Sequence, residues 1–111
     1  METTFKADCM AGRNVFLAGA TSGINLGVAE RFAEEGANVY VISRNPEKVD
    51  ATLAKLTDIG ARASGMAVDV RNYDAVETAF ADAADRYGEL DFVLAGAAGN
   101  FPAAAAYIRS T

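Results

Sequence analysis

One feature constrains this 111-residue chain more than any other: its hydrophobic period changes back and forth. Asn14 to Ala18 is a short apolar run bounded by Gly12 and Gly19, and it predicts a buried strand. From Ile24 to Glu35 the period becomes helical, with Ile24, Val28 and Phe32 recurring every four residues among Glu30, Arg31 and Glu34. Gly36 stands where a helix stops. Asn38 to Ser43 is rich in β-branched and aromatic residues and predicts a second strand. Asn45-Pro46-Glu47 then has the chemistry of a helix start: a cap, a ring preset for the first turn, and an acid at the positive helix end. Val49, Leu53 and Leu56 give that second helix its apolar stripe, and Gly60 follows it. Ala63 to Val68 is expected as a third strand, although it contains Gly65. Asn72 caps a third helix, whose face carries Val76, Phe80, Ala83 or Ala84, and Tyr87; Gly88 ends it. Leu90 to Ala95 is expected as a fourth strand.

Strands separated by helix-length segments pair in parallel through right-handed crossovers. The expectation is the first half of a doubly wound α/β sheet, in three layers, with strand order 3-2-1-4 and one domain over residues 1–111. Composition agrees: 51% hydrophobic and 23% charged residues describe a globular chain with material for a core. A net charge of −5 argues against nucleic acid as a partner, and the absence of His excludes a His-based metal or catalytic site. No metal site is expected. The single Cys9 has no disulfide partner, which is compatible with a cytoplasmic setting. No apolar run is long enough for a membrane span, and Met1 to Gly12 lacks the layout of a secretion signal.

The first strand runs into Gly19-Ala20-Thr21-Ser22-Gly23-Ile24-Asn25-Leu26-Gly27 before the first helix. A pyrophosphate needs exposed backbone N–H groups at a helix N-terminus, and glycine lets it approach. Thr21 and Ser22 add hydroxyl donors. The spacing is G-x-x-x-G rather than G-x-G-x-x-G. At the end of the second strand no acid is present to hold a ribose 2′-hydroxyl. Ser43 and Arg44 stand there instead, with Lys48 a turn later. A guanidinium grips a 2′-phosphate through charge-assisted bonds, which favours NADP(H) over NAD(H); solvated surface charges remain the alternative for both cations.

The turn resembles that of the short-chain dehydrogenase/reductase family, T-G-x-x-x-G-I-G, in Gly19, Gly23 and Ile24. Ala18 replaces the family's Thr and Asn25 its third Gly, with Gly27 two residues on as a substitute for close packing. The resemblance covers about Gly12 to Pro102 and implies a Rossmann-type domain. It implies that Asp69 bonds the adenine amino group, that Val70 packs on the adenine ring, and that Ala97 belongs with the cofactor residues; a helix-entry or turn acid is the alternative for Asp69. Where the family has N-N-A-G, this chain has Ala95-Gly96-Ala97-Ala98-Gly99-Asn100-Phe101. The string A-A-G-N-F, with Asp69-Val70-Arg71 and Ser43-Arg44, looks like the 2,4-dienoyl-CoA reductase branch. That likeness implies an acyl-CoA substrate beside Arg71 and Phe101; a charge ahead of a helix and a core anchor are their alternatives.

The family's catalytic Tyr-x-x-x-Lys pair has no counterpart here. Tyr40, Tyr73, Tyr87 and Tyr107 are followed four residues later by Arg44, Glu77, Asp91 and Thr111. No catalytic residue is therefore assigned. The chain is expected to be the NADP-binding half of a longer, homo-oligomeric reductase, inactive on its own. A non-catalytic NADP-binding scaffold and a 3-oxoacyl or sugar-alcohol reductase are the alternatives.

Overall fold

The computed structural model describes residues 12–19, 23–69 and 71–95. Within them the order is β1 (Asn14–Ala18), α1 (Gly23–Glu34), β2 (Asn38–Ser43), α2 (Pro46–Ile59), β3 (Ala63–Ala67), α3 (Tyr73–Tyr87) and β4 (Phe92–Ala95). The four strands form one parallel sheet in the order β3-β2-β1-β4, as the alternation predicts.

Period-2 alternation along the two central strands divides the core between the faces of the sheet. Val15, Leu17, Val39 and Val41 meet Ala29 and Ala33 of α1 and Leu56 of α2. Phe16, Ala18, Tyr40 and Ile42 meet Val76, Ala79, Phe80 and Ala83 of α3. The Phe16 ring stacks on Phe80 at 4.1 Å and on Tyr40 at 5.4 Å between centroids. Each such aromatic contributes about 1.5 to 3 kcal/mol by leaving water, so Phe16 and its two stacking partners are a main source of stability for the α3 layer.

The expected caps are made. Asn45 Oδ1 accepts from the amides of Glu47 (2.9 Å) and Lys48 (3.3 Å), and Asn72 Oδ1 from that of Ala75 (3.2 Å). Gly60 closes α2 in the left-handed conformation, φ 105°.

Three details differ from the sequence expectation. The buried face of α1 is led by the small residues Ala29 and Ala33, while Val28 and Phe32 are only half-buried. Small side chains there allow the helix to lie close to the sheet. Gly27 is exposed, and a Cβ on it would meet nothing within 4 Å, so it does not supply the tight packing expected of a third glycine. The fourth strand begins at Phe92, not Leu90. The Asp91 carboxylate accepts the Asn14 amide at 2.8 Å, where a ladder would use a backbone carbonyl.

Gly65 has a reason that the sequence alone conceals. A Cβ at this position would fall on the carbonyl oxygen of Val41 and lie 3.3 Å from Val49 Cγ1. Only a residue without a side chain lets β3 lie this close to β2 and α2.

Candidate cofactor-binding site

All four strands run in one direction, so their carboxyl ends share one edge of the sheet. In an open α/β sheet this edge is where ligands bind. The ends are tied together here. The Gly19 amide donates to the Ile42 carbonyl at 2.8 Å, and the Val68 amide to the Ser43 carbonyl at 2.8 Å. Gly19 leaves β1 with φ 79°, a conformation that favours glycine, and α1 begins four residues later at Gly23. The first N–H groups of a helix have no partner within it. A helix N-terminus that follows a strand in this way is the kind of place where backbone N–H groups bind a pyrophosphate.

Beside that turn, β2 ends at Ser43, which is half-buried, and the exposed Arg44 follows. Lys48 lies in the first turn of α2, also exposed. No carboxylate intervenes between Ser43 and Pro46. At the end of β3 comes Asp69, and the chain turns into α3 with the Asn72 amide on the Asp69 carbonyl at 2.9 Å. Parallel register sets Ser43 against Ala67, so Arg44 and Asp69 leave adjacent strand ends.

Arg71 has its side chain paired with Asp69. Its backbone amide and Nε reach Asp69 Oδ1 at 3.0 and 3.1 Å, and Nη2 reaches Oδ2 at 2.8 Å. These bonds hold the Asp69 carboxyl down at about 2, the side-chain contact with Arg71 contributing most and the nearby Arg44 charge least. The sequence signal for this fork is the D-x-R spacing across a turn, in which an Asx-type bond brings residue i+2 back over the carboxylate.

Of the residues singled out in the sequence, Gly19, Gly23, Ser43, Arg44, Lys48, Asp69 and Arg71 therefore occupy one edge of the sheet. Ile24 belongs to the first turn of α1, and nothing is described of its side chain. Ala20, Thr21, Ser22, Val70, Ala97 and Phe101 lie outside the described residues. Among the described residues no cluster of His, Cys, Asp and Glu could hold a metal ion, and no helix is long and apolar enough to cross a membrane.

The opposite edge carries a polar hub that the sequence did not flag. Asn14 is buried; its Nδ2 donates to the carbonyls of Tyr87 (2.9 Å) and Glu89 (2.8 Å), and its Oδ1 accepts from Asn38 Nδ2 (2.9 Å). A polar residue opening an apolar strand was the available signal.

The chain is 41% identical over 80 residues to a 3beta-hydroxysteroid dehydrogenase of Mediterraneibacter gnavus, covering 72% of this chain and 29% of that protein. It is 30% identical over 105 residues to the peroxisomal 2,4-dienoyl-CoA reductase of Arabidopsis thaliana, covering 95% and 35%. Among solved structures, an actinorhodin polyketide ketoreductase variant with NADPH superposes with TM-score 0.72 at 38% identity, over 77% of this chain and 33% of that one. A carveol dehydrogenase from Mycobacterium avium in complex with NAD gives TM-score 0.76 at 28% identity, over 83% and 37%. The chain thus spans about a third of the length of the proteins it matches. The short chain dehydrogenase family matches residues 13–109, nearly the whole sequence, and the chain belongs to that family.

Proposed function

We propose that this chain is the NADP(H)-binding half of an NADPH-dependent short-chain oxidoreductase that reduces an acyl-CoA thioester of the 2,4-dienoyl type. The observation that carries the cofactor choice is the end of β2: an exposed Arg44, Lys48 a turn later, and no acid on the segment between Ser43 and Pro46. A carboxylate there would repel a 2′-phosphate, whereas a guanidinium binds one through paired, charge-assisted bonds. Gly19 to Ile24 would hold the pyrophosphate, Ser43, Arg44 and Lys48 the 2′-phosphate, Asp69 and Val70 the adenine, and Ala97 would complete the cofactor set. NADPH supplies the hydride when bound; the residues of this chain bind and orient it.

The substrate class is supported by the likeness to the Arabidopsis dienoyl-CoA reductase, which extends over 95% of the chain. Arg71 and Phe101 are the candidates for contact with the acyl-CoA. A 3-oxoacyl substrate is the runner-up, favoured by the 38% identity to the polyketide ketoreductase. The whole enzyme would be a cytoplasmic homo-oligomer, and the 111 residues by themselves, with no Tyr-x-x-x-Lys pair, would bind cofactor without turnover.

Calorimetric titration with NADPH and NADH tests the cofactor choice. A charge-assisted contact is worth about 1.5 to 3 kcal/mol, so Arg44→Ala should weaken NADPH roughly ten- to a hundredfold and NADH far less. Equal losses for both would show that Arg44 does not read the phosphate. Loss of NADPH absorbance with 2,4-dienoyl-CoA against 3-oxoacyl-CoA, in a longer chain that carries a Tyr-x-x-x-Lys pair, decides the substrate.

A further inference from the structure

We propose that Arg71 is a positioning residue for cofactor choice: by engaging the Asp69 carboxylate it keeps Arg44 available for a 2′-phosphate. This rests on the NADP(H) reading above and extends it to a residue that need not touch the cofactor's phosphate. Arg44 and Asp69 leave the ends of neighbouring parallel strands, with Ser43 opposite Ala67 and the Val68 amide on the Ser43 carbonyl at 2.8 Å. An unpaired carboxylate in that place would act twice against a phosphate. It would repel the anion directly, and it would draw the guanidinium of Arg44 to itself. Both problems disappear if another cation occupies the carboxylate first.

Arg71 does so with a fork. Nε and Nη2 reach the two oxygens separately, at 3.1 and 2.8 Å, and the Arg71 amide fixes Oδ1 at 3.0 Å. The backbone bond matters because it resists rotation of the carboxyl group toward Arg44. A requirement of the helix does not explain the pair: Asn72 caps α3 without help from the Arg71 side chain, through the Ala75 amide at 3.2 Å. Arg71 is also highly exposed, its side chain 76% accessible, so burial does not hold it there. With Arg71 present, Arg44, Asp69 and Arg71 carry a surplus positive charge; without it, Arg44 and Asp69 cancel.

The test is calorimetric titration of the 111-residue chain with adenosine 2′,5′-bisphosphate and adenosine 5′-monophosphate, at low ionic strength so that screening is weak. The two ligands share the adenine, so any contact between Asp69 and the base cancels in the ratio of their affinities. Interactions of exposed charges are small, and Arg71→Ala should lower the ratio by about two- to fivefold. Adding Asp69→Asn to Arg71→Ala should restore it. Asp69→Asn alone, which leaves both guanidinium groups, should hold the ratio at or above that of the unaltered chain, and it serves if Arg71→Ala fails to fold. An unchanged ratio in Arg71→Ala overturns the proposal, as does a loss that persists in the double variant or a fall in Asp69→Asn. No preference for the bisphosphate in the unaltered chain would overturn the cofactor reading itself, and this proposal with it.

Discussion

Gly65 and Gly27 should respond to alanine in opposite directions. At Gly65 the added methyl would fall on the Val41 carbonyl oxygen and lie 3.2 Å from the carbon that bears it. That oxygen has little room to recede, because Val41 is fully buried in β2 between β1 and β3. Overpacking of a well-filled site costs about 1 to 3 kcal/mol. Alanine also restricts the unfolded chain, which returns about 0.4 to 1 kcal/mol. Because the methyl meets backbone and not a flexible side chain, the cost belongs in the upper part of the overpacking range, about 2 to 3 kcal/mol. The net expectation is a loss of about 1 to 2.6 kcal/mol, or a fall in Tm of roughly 4 to 10 °C for a domain of this size. Gly27 lies inside α1, exposed, with nothing within 4 Å of its would-be Cβ. There alanine should stabilise by up to about 1 kcal/mol through helix propensity alone. Urea unfolding followed by far-UV circular dichroism measures both, with equal m-values as a check that the unfolded state is unchanged. A neutral or stabilising Gly65→Ala would mean that β2 and β3 do not approach as closely as described.

Other consequences are equally concrete. Tyr40→Phe should cost about 1.5 kcal/mol, at the lower end for a bond to a charged group, because Asp82 loses the 2.6 Å hydroxyl bond but keeps Arg86 at 3.0 Å; urea unfolding reads it. Burial first, and then the bond to Asp82, push the Tyr40 hydroxyl well above its ordinary 10.0, so its stabilisation is complete below about pH 10 and is lost only as pH rises toward the folded value. Absorbance at 295 nm should show a late-ionising fraction to which Tyr40 contributes together with Tyr87, which burial also raises. The Asp69 carboxyl, held at about 2 against an ordinary 3.8, stabilises the fold above about pH 4 and loses that effect as pH falls toward 2. Carbon NMR of the carboxyl should find its midpoint near the lower value, and Arg71→Ala should raise it; a midpoint near 4 in the unaltered chain would contradict the fork. Asn14→Ala should cost about 2 to 3 kcal/mol in urea unfolding, because it strands the Tyr87 and Glu89 carbonyls and the Asn38 amide.

The parts of this fold that were legible in the sequence are those with local causes. Asn45, Pro46 and Gly60 bracket α2 because capping and left-handed closure act within a few residues of the helix ends. The alternation of periods revealed the parallel sheet because each crossover must return a strand to the same direction. Less legible were features that depend on a distant partner. Ala29 and Ala33 lead the buried face of α1, yet the eye follows Ile24, Val28 and Phe32, since a hydrophobic stripe is weighted by bulk and close helix-to-sheet contact selects for smallness. Gly65 looked like a weak point in a strand until Val41 was placed against it. At the candidate site, Arg44 was readable from the chemistry of a strand end. The fork of Arg71 on Asp69 was less so: the D-x-R spacing permits it, but exposed arginine carries many roles and only geometry chooses among them.

The two edges of the sheet treat polar groups in opposite ways, and that contrast supports the proposed ligand edge independently of the family. At the amino edge, the Asn14 amide meets the Asp91 carboxylate and the Asn14 side chain meets the Tyr87 and Glu89 carbonyls and Asn38. Among the described residues no buried side-chain nitrogen or oxygen lacks a partner. A buried network satisfied in this way makes the edge rigid and leaves little for a ligand to gain. At the carboxyl edge, Arg44, Lys48 and Arg71 stand exposed around a turn opened by Gly19 at φ 79°. Exposed charges contribute little to folding, so their placement there is not explained by stability. Asn14→Ala and Arg44→Ala should therefore separate cleanly. The first should lower the urea midpoint and leave the preference for a 2′-phosphate intact, and the second should do the reverse. If both variants moved both quantities together, the two edges would be one coupled unit, and the division of labour between frame and site would fail.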